Sequence, residues 1–437
     1  MLIEFRVGNY KSFKETVTLS MVAAKITAKD KKLDSENAFS VNGDLSLLKS
    51  AAIYGANASG KSNLVNAMHF MRRFVLNSSK EMQATEEIPV EVFRLNRDMA
   101  QLPANFEIVF LLEGVRYRYG FEVTTRNVVS EWLFHAQHAR ESRLFFRNQD
   151  KFTLSHTFKE GKDIEKKTRS NALFLSVVAQ FNGDVAGKLL NWFSRNLGII
   201  SGLSDTYRNY TIKTFESNQH KKDILQFVKS LDLDIDDIQV QRTKINIENL
   251  PKEMPEEVRK YLLDAIGEKP SYTVQTFHRS RGSKTTAADR EAFNLDIQES
   301  DGTRKLFALA GPLADTLKNG KTMVIDELDA RLHPLITREI IALFNSNKTN
   351  PHNAQLIFTT HDTNLLSNRL FRRDQIWFAE KNRQGATDLY SLAEFKLPKD
   401  GSMVRNDATF ENDYFRGRYG AIPFIGDFSC WIGDTDG

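Results

Sequence analysis

Eight residues, Gly55 to Ser62, have the types and spacing of a loop that holds a phosphate group. The stretch GANASGKS fits the pattern G-x-x-x-x-G-K-[ST], in which small residues let successive main-chain N–H groups point inward. We expect Lys61 to reach the β- and γ-phosphates of a nucleotide and the Ser62 hydroxyl to bind Mg²⁺. The alternative is a glycine-rich turn that happens to contain a lysine. The expected cradle comprises Gly55, Ala56, Asn57, Ala58, Ser59, Gly60, Lys61, Ser62 and Asn63.

Two adjacent acids follow a second apolar run, in TMVIDELD. Asp326 comes directly after four strand-forming residues, and Glu327 follows it. We expect Asp326 to support the metal ion through its bound water and Glu327 to polarise an attacking water as a general base. Taken alone, such a pair is more often a solvated turn. The phosphate-binding loop elsewhere in the chain favours the catalytic interpretation.

Two further segments are candidates for contact with a terminal phosphate. His361 lies in FTTHD, at the end of another apolar strand. It is expected to contact the γ-phosphate or the attacking water, although a histidine at a strand end is usually structural. Ser300 and Gly302 stand directly before a helical pattern, where a serine and free N–H groups form an anion site. On its own, that second segment is only a helix cap.

The segments that must position these groups alternate between strand and helix patterns. NLVNAMHFMRRFVL, after the loop, has helical spacing, and TMVIDE, QLIFTTHD and QIWFAEKN are short apolar strands separated by helices. That rhythm is typical of a parallel α/β sheet. The runs on either side of Glu113 and Gly114 predict an antiparallel sheet. Residues 168–265 predict helices of modest length, VAGKLLNWFSRNL and EEVRKYLLDAI among them.

The bulk composition narrows the class of protein. The chain has 437 residues, a formal net charge of +4 and a pI near 8.8, which permits contact with nucleic acid without indicating it. Its one cysteine, Cys430, cannot form an internal disulfide, and no secretory signal or membrane-spanning run is recognisable. We therefore expect a cytoplasmic protein with no membrane contact. The basic stretch with Arg279, Arg281 and Lys284 predicts a mobile loop, with a nucleic-acid contact as the alternative.

Together these segments resemble the nucleotide-binding domain of ABC-type ATPases, in the SMC/RecF-like branch and the stand-alone AAA-family proteins of bacterial anti-phage loci. NYKSF resembles the N-terminal motif of that branch, GANASGKS its Walker A motif, ESDGT its signature, MVIDE its Walker B motif, LDARLHP its D-loop and FTTHD its switch histidine. The tail FRGRYGAIPFIGDF is similar to the end of the stand-alone proteins. Glu299 departs from the leucine that is usual in the signature, and Gln83 and Gln101 are both candidates for the Q-loop glutamine.

The resemblance implies an α/β fold, an ABC-type P-loop NTPase with a mixed sheet, an antiparallel β subdomain and an inserted helical subdomain. It implies ATPase lobes at 1–165 and 269–437, with a helical insertion at 166–268. It also implies ATP and Mg²⁺ as cofactors and a head-to-tail homodimer, in which Ser300–Gly302 of one copy cap the γ-phosphate at Lys61 of the other. Lys11 and Ser12 then lie near the nucleotide, or else in a solvated turn, and Asp329 lies at the dimer interface near the partner's site.

Three functions fit these expectations. The first is an ATP-hydrolysing switch that controls a separate effector, a nuclease or a toxin, in anti-phage defence. The second is a DNA-binding ATPase of DNA repair or DNA-end sensing, which requires a basic stripe and a steep salt dependence of DNA affinity. The third, the nucleotide-binding subunit of a transporter, fits poorly because the region between the Walker motifs is long. Neither a Cys/His metal pattern nor a second catalytic centre is recognisable, which favours a separate effector.

Overall fold

The computed structural model describes residues 1–137, 140–204, 206–231, 234–243, 255–256, 271–280, 290–398, 400–424 and 426. Several sequence-based predictions lie outside these residues. They concern Arg281, Lys284, Cys430 and nearly all of the helix predicted at 256–266.

Strands and helices alternate along the described chain. The strands are β1 Leu2–Gly8, β2 Val17–Ser20, β3 Ala38–Asn42, β4 Leu45–Leu48, β5 Ser50–Tyr54, β6 Ala104–Leu112, β7 Val115–Val123, β8 Val128–Ala136, β9 Ser142–Asn148, β10 Lys151–Leu154, β11 Leu197–Ser201, β12 Ile235–Thr243, β13 Ser271–Arg279, β14 Arg290–Asn294, β15 Thr322–Asp326, β16 Gln355–Thr359, β17 Ile376–Lys381 and β18 Thr387–Ser391. The helices are α1 Lys31–Glu36, α2 Lys61–Asn77, α3 Phe174–Gln180, α4 Asp184–Arg195, α5 Arg208–Glu216, α6 Lys221–Lys229, α7 Asp301–Asn319, α8 Pro334–Asn345 and α9 Phe410–Phe415.

A six-stranded sheet has the order β11-β15-β16-β5-β17-β18. All its neighbouring strands are parallel except β17 and β18. β5 and β16 are buried along their whole length, as expected of strands with both faces covered. The carboxyl ends of β5, β15 and β16 therefore lie together at one edge of the sheet, and each is followed by one of the predicted site segments.

A seven-stranded antiparallel sheet has the order β10-β9-β8-β7-β6-β1-β2. β6 and β7 form a hairpin whose turn is Glu113–Gly114, both with positive φ, as the sequence predicted. Aromatic side chains dominate its core, and Phe110 stacks on Trp192 of α4 with ring centroids 3.9 Å apart. The predicted fold class, α/β with a mixed sheet and a separate antiparallel sheet, is confirmed.

A buried carboxylate attaches α3 to this antiparallel sheet. Glu131 accepts hydrogen bonds from the Tyr119 hydroxyl at 2.9 Å and from the main-chain N–H groups of Phe174 and Leu175 at 2.6 and 2.9 Å. Arg147, also fully buried, lies 3.8 Å from it. Burial raises the pKa of Glu131, while Arg147 and these three donors oppose the rise. The pair is stabilising only because every donor has its acceptor.

The prediction of helices throughout residues 168–265 was wrong at two points, because β11 and β12 both lie in this range. VAGKLLNWFSRNL was predicted as one helix, but α4 ends at Arg195 and β11 begins at Leu197. β11 pairs in parallel with β15 over Leu197–Ser201, so this short apolar segment completes the edge of the six-stranded sheet. A five-residue run carries no period that separates a strand from a helix end. The pairing with a strand more than 100 residues later decided its structure.

The chain divides into two compact units. The first comprises Met1–Gly202, Thr316–Ala330 and Thr337–Gly437, and the second comprises Leu203–Asp315 and Arg331–Ile336. The second unit contains α5, α6 and the three-stranded antiparallel sheet β12-β13-β14. The division into segments 1–165, 166–268 and 269–437 stays a prediction. In the part of the chain that the structure describes, no helix combines the length and apolar character needed to cross a membrane.

Candidate functional site

The loop between β5 and α2 has a backbone that only small residues permit. Gly55 has φ +154° and Gly60 has φ +111°. A Cβ atom at Gly60 would lie less than 3.0 Å from Thr387 Oγ1 and Ser12 Oγ, and one at Gly55 less than 3.0 Å from the Ala379 carbonyl oxygen. Gly60 is also the N-cap of α2, and it has no side chain to satisfy the first N–H groups of the helix. Those groups remain available to an anion.

Lys61 is the cation of the loop. Its side chain is buried, and the Nζ group donates hydrogen bonds to the carbonyl oxygens of Gly55 at 2.7 Å and Ala56 at 3.0 Å. Burial lowers the pKa of Lys61 to about 8, against the opposing influence of Asp326 and Glu327. The ammonium group is therefore held over the loop, close to the two acids, in a place where a phosphate group would strengthen its charged form.

Two hydroxyl groups support the loop from beneath. Thr387 Oγ1 donates to the Ser59 carbonyl oxygen at 2.7 Å and lies 2.8 Å from Ser12 Oγ, which also accepts from Asn63 Nδ2 at 2.8 Å. Ser12 thus contacts the loop, as its motif led us to expect. Thr387 was missed, because no local pattern in β18 indicates a contact with residues more than 300 positions earlier. Lys11 differs from Ser12, since its Nζ group pairs with Glu91 at 3.4 Å.

The predicted acids lie at the end of β15, with Asp326 as its last residue and Glu327 next, and both are held by the neighbouring strand β16. Thr359 Oγ1 donates to Asp326 Oδ1 at 2.6 Å and accepts from the main-chain N–H of Glu327 at 2.7 Å. Glu327 has φ +55°, an unusual conformation for a glutamate. Gly202, which sequence reasoning missed, leaves room for it, since a Cβ there would lie less than 3.0 Å from the Glu327 carbonyl oxygen.

His361 follows β16 at the same edge of the sheet. Its main-chain N–H donates to Asp329 Oδ2 at 3.3 Å. Burial lowers the pKa of His361, and the charge of Lys61 lowers it further, while Asp329 and Glu327 oppose the shift. The imidazole is therefore neutral at pH 7 and can accept or donate a hydrogen bond. Five of the predicted residues influence one another electrostatically, namely Lys61, Asp326, Glu327, Asp329 and His361.

The Ser300 segment lies in the second unit. Ser300 Oγ accepts from the main-chain N–H of Thr303 at 3.1 Å and lies 2.9 Å from Thr303 Oγ1, so Ser300 caps α7. A Cβ at Gly302 would lie 3.1 Å from the Arg331 carbonyl oxygen, which brings the segment next to the D-loop residues. The structure shows the helix cap. A contact between Ser300 and a phosphate stays a prediction.

Glu299, the residue that departs from the expected leucine, has two partners on β13. His278 Nε2 lies 2.7 Å from Glu299 Oε1, and the Thr276 hydroxyl donates to the same oxygen. The ring of His278 also contacts Phe293 of β14, with centroids 4.7 Å apart. A glutamate is therefore accommodated because β13 supplies polar partners where an apolar contact would otherwise be needed.

The comparison with known families settles the classification. A family described as "AAA domain, putative AbiEii toxin, Type IV TA system" matches residues 50–367, well over half of the chain. The chain belongs to this AAA family. The matched segment begins in β5 and contains the phosphate-binding loop, both acids of β15 and His361. Curated protein sequences provide no significant match. The predicted membership of an AAA-type ATP-binding family is thus confirmed.

Solved structures with similar folds include SMC and RecF proteins. The SMC head bound to the C-winged helix domain of ScpA is 15% identical, with a TM-score of 0.41, covering 89% of this chain and 97% of that one. The SMC head domain from Thermotoga maritima is 14% identical, with a TM-score of 0.37, over 89% and 98%. The recombination mediator RecF with ATP is 12% identical, with a TM-score of 0.30, over 89% and 99%. These scores are too low to carry an argument about function.

The donor set near Lys61 fits a magnesium ion. The Ser62 hydroxyl and the carboxylate of Asp326 are oxygen ligands, the type that Mg²⁺ prefers. Across the described residues, no group of three or more His, Cys, Asp or Glu side chains could hold a metal ion. A magnesium ion here would complete its shell with phosphate oxygens and water, as it does in other nucleotide sites.

Gln83 and Gln101 both lie in exposed segments, so the Q-loop stays unassigned.

Proposed function

We propose that this protein binds and hydrolyses ATP with Mg²⁺ in the cytosol, and that it uses the reaction to switch a separate effector. The observation that carries the proposal is the arrangement at one edge of the six-stranded sheet. There the strained loop with Lys61 follows β5, Asp326 ends β15 with Glu327 directly after it, and His361 lies just after β16. This arrangement is suited to phosphoryl transfer, in which positioning and electrostatics supply most of the catalysis.

The roles of the residues follow from their contacts. The loop residues and Lys61 bind the phosphates, and Ser62 and Asp326 would hold a magnesium ion, which would supply positive charge against the phosphates. Glu327 is the general base for the attacking water. Thr359 fixes the backbone of Glu327 through a hydrogen bond to its main-chain N–H. The carboxylate of Glu327 turns toward that water. His361, neutral at pH 7, contacts the γ-phosphate or the attacking water.

The site is completed by a second copy of the chain. This step is supported by the position of Ser300 in the second unit, where its hydroxyl group lies at the N-terminus of α7. Residues 300–302 of one copy then cap the γ-phosphate at Lys61 of the other. Loss of that phosphate on hydrolysis weakens the dimer, so the chemical step becomes a conformational signal.

The effector is a nuclease or a toxin acting in anti-phage defence. The family description, which names a putative toxin of a toxin–antitoxin system, supports a role in defence, but it refers to the AAA domain itself and names no separate effector. The description concerns the family and not this chain, so the effector is identified only by class. The DNA-repair alternative would require an open basic surface. Several arginines on the antiparallel sheet, among them Arg6 and Arg118, are instead paired with glutamates.

The substitution Glu327→Gln tests the proposal directly. It removes the base while keeping the size of the side chain, so we expect ATP binding to be retained and turnover to fall by about 100-fold or more. The slowed enzyme should accumulate as an ATP-bound dimer, measured by light scattering after size exclusion. Lys61→Ala is the matched control, because it should abolish binding and leave a monomer. Unchanged turnover in Glu327→Gln would exclude Glu327 as the base.

A further inference from the structure

Tyr54 carries a buried hydroxyl group that the described structure leaves without a partner. Tyr54 is the last residue of β5 and is followed directly by Gly55 of the phosphate-binding loop. Its side chain is only 1% exposed, and no described residue accepts or donates a hydrogen bond at its hydroxyl oxygen. Burial of an unsatisfied hydroxyl is unfavourable by about 1–3 kcal/mol, so its retention beside an active loop calls for a function.

Two carboxylates near Tyr54 are equally incomplete. Asp329 Oδ1 and Asp362 Oδ2 are buried and have no hydrogen-bond partner among the described residues. Their other oxygens are used, because Asp329 Oδ2 accepts from the main-chain N–H of His361 at 3.3 Å and Asp362 Oδ1 accepts from that of Asn364 at 3.0 Å. Burial raises the pKa of Tyr54 well above its ordinary value, and Asp362 and then Asp329 raise it further.

The backbone places these three groups at one end of the sheet. β5 and β16 are parallel neighbours, and the main-chain N–H of Thr360 donates to the Ile53 carbonyl oxygen at 3.2 Å. Tyr54 therefore lies at the level of Thr360, the residue directly before His361. Both residues line one cavity of about 370 Å³, together with Gly55, Ala56 and Asn57 of the loop. A ligand in the loop thus borders the same space as the tyrosine and the histidine.

We propose that Tyr54 is a positioning residue for His361. The hydroxyl group of Tyr54 donates a hydrogen bond to Asp362 when a nucleotide fills the loop. This inference rests on the proposed ATPase function and adds a step of regulation to that site. The hydrogen bond satisfies a buried donor and a buried acceptor at once. Because Asp362 follows His361 in the chain, and Asp329 already holds the main-chain N–H of His361, the new bond fixes the histidine in place. Without this bond, His361 is less constrained.

The hydroxyl group can be removed without changing the ring. In Tyr54→Phe, we expect the Tm of the nucleotide-free protein to be unchanged or higher, because the hydroxyl is unsatisfied in that state. We also expect kcat to fall by about tenfold while KM for ATP stays within about twofold, since a group that acts after binding is lost. Tyr119→Phe is the matched control. Its buried hydroxyl donates to Glu131, so that variant should have a Tm lower by about 2–4 °C and unchanged turnover.

A second measurement does not depend on hydrolysis. Hydrogen exchange of residues 360–365 is followed with and without a non-hydrolysable ATP analogue. In the wild type the analogue should slow exchange at the main-chain N–H of His361, and in Tyr54→Phe this slowing should be lost. If the wild type hydrolyses ATP and Tyr54→Phe has the same kcat and the same protection from exchange, this inference alone is overturned. A wild type that neither binds nor hydrolyses ATP would overturn the proposed function and this inference together.

Discussion

The loop at Gly55–Ser62 and the segment at Ser300–Gly302 are both expected to contact the same phosphate, but the protein builds them differently. The loop depends on distant parts of the chain. Ser12 and Thr387 support it from below, and glycines with positive φ leave no room for a side chain. The Ser300 segment depends mostly on itself, because its hydroxyl caps the helix that it begins.

The difference teaches what each segment can do alone. The loop is preorganised, with its cation and its N–H groups already held in place, so one copy of the chain is sufficient to bind a nucleotide. The Ser300 hydroxyl is occupied by a local cap, a bond that typically contributes about 1 kcal/mol and that a nearby phosphate can replace. A site built from both segments therefore binds the nucleotide through the loop and responds to its phosphate through the Ser300 segment.

A pair of glycine substitutions should separate the two segments most strongly. In Gly60→Ala, the added Cβ meets Thr387 and Ser12 at a residue with φ +111°. Strain of about 2–3 kcal/mol should weaken ATP binding by about 30- to 150-fold. Gly302→Ala is the matched variant, and its Cβ only approaches the Arg331 carbonyl oxygen at 3.1 Å, without a positive φ. Its effect on ATP affinity should stay within about threefold. The affinities are measured by calorimetry, and equal losses in the two variants would refute the contrast.

A smaller effect is expected from pH. Lys61 has a pKa of about 8 in this loop, and a triphosphate should raise it. The complex then binds more protons than the free protein, so ATP affinity should be constant below about pH 7 and fall by about tenfold between pH 7 and pH 9. Lys61→Arg is the control, since its guanidinium stays charged over this range and its affinity should not vary with pH. A Kd for the wild type that does not change up to pH 9 would contradict the proposed environment of Lys61.

The sequence predicted much of the fold and the residues of the candidate site, because both depend on local patterns. The strand, the glycine-rich loop and the helix around Lys61 are contiguous, and β15 and β16 are short apolar runs that end in charged residues. The antiparallel sheet was recognisable from the hairpin at Glu113–Gly114.

What the sequence did not predict depends on contacts between distant residues. Thr387 supports the loop from a strand more than 300 residues later, and β11 is a strand because β15 lies beside it. Gly202 and Tyr54 acquire their roles only from the neighbours that the sheet brings to them. The partners of Glu299 lie on β13, so its departure from the family pattern could not be explained before the structure was known.

The central claim is that one ATP site takes Lys61 from one copy and Ser300 from another. Two variants test it most directly when they are mixed, Lys61→Ala and Ser300→Arg. Each should be folded and should hydrolyse no ATP alone, and Ser300→Arg should still bind ATP. In a mixture, half of the dimers pair the two variants and each has one intact site, so about one quarter of the wild-type turnover should return. A mixture that stays inactive, with both variants folded, would contradict the shared site.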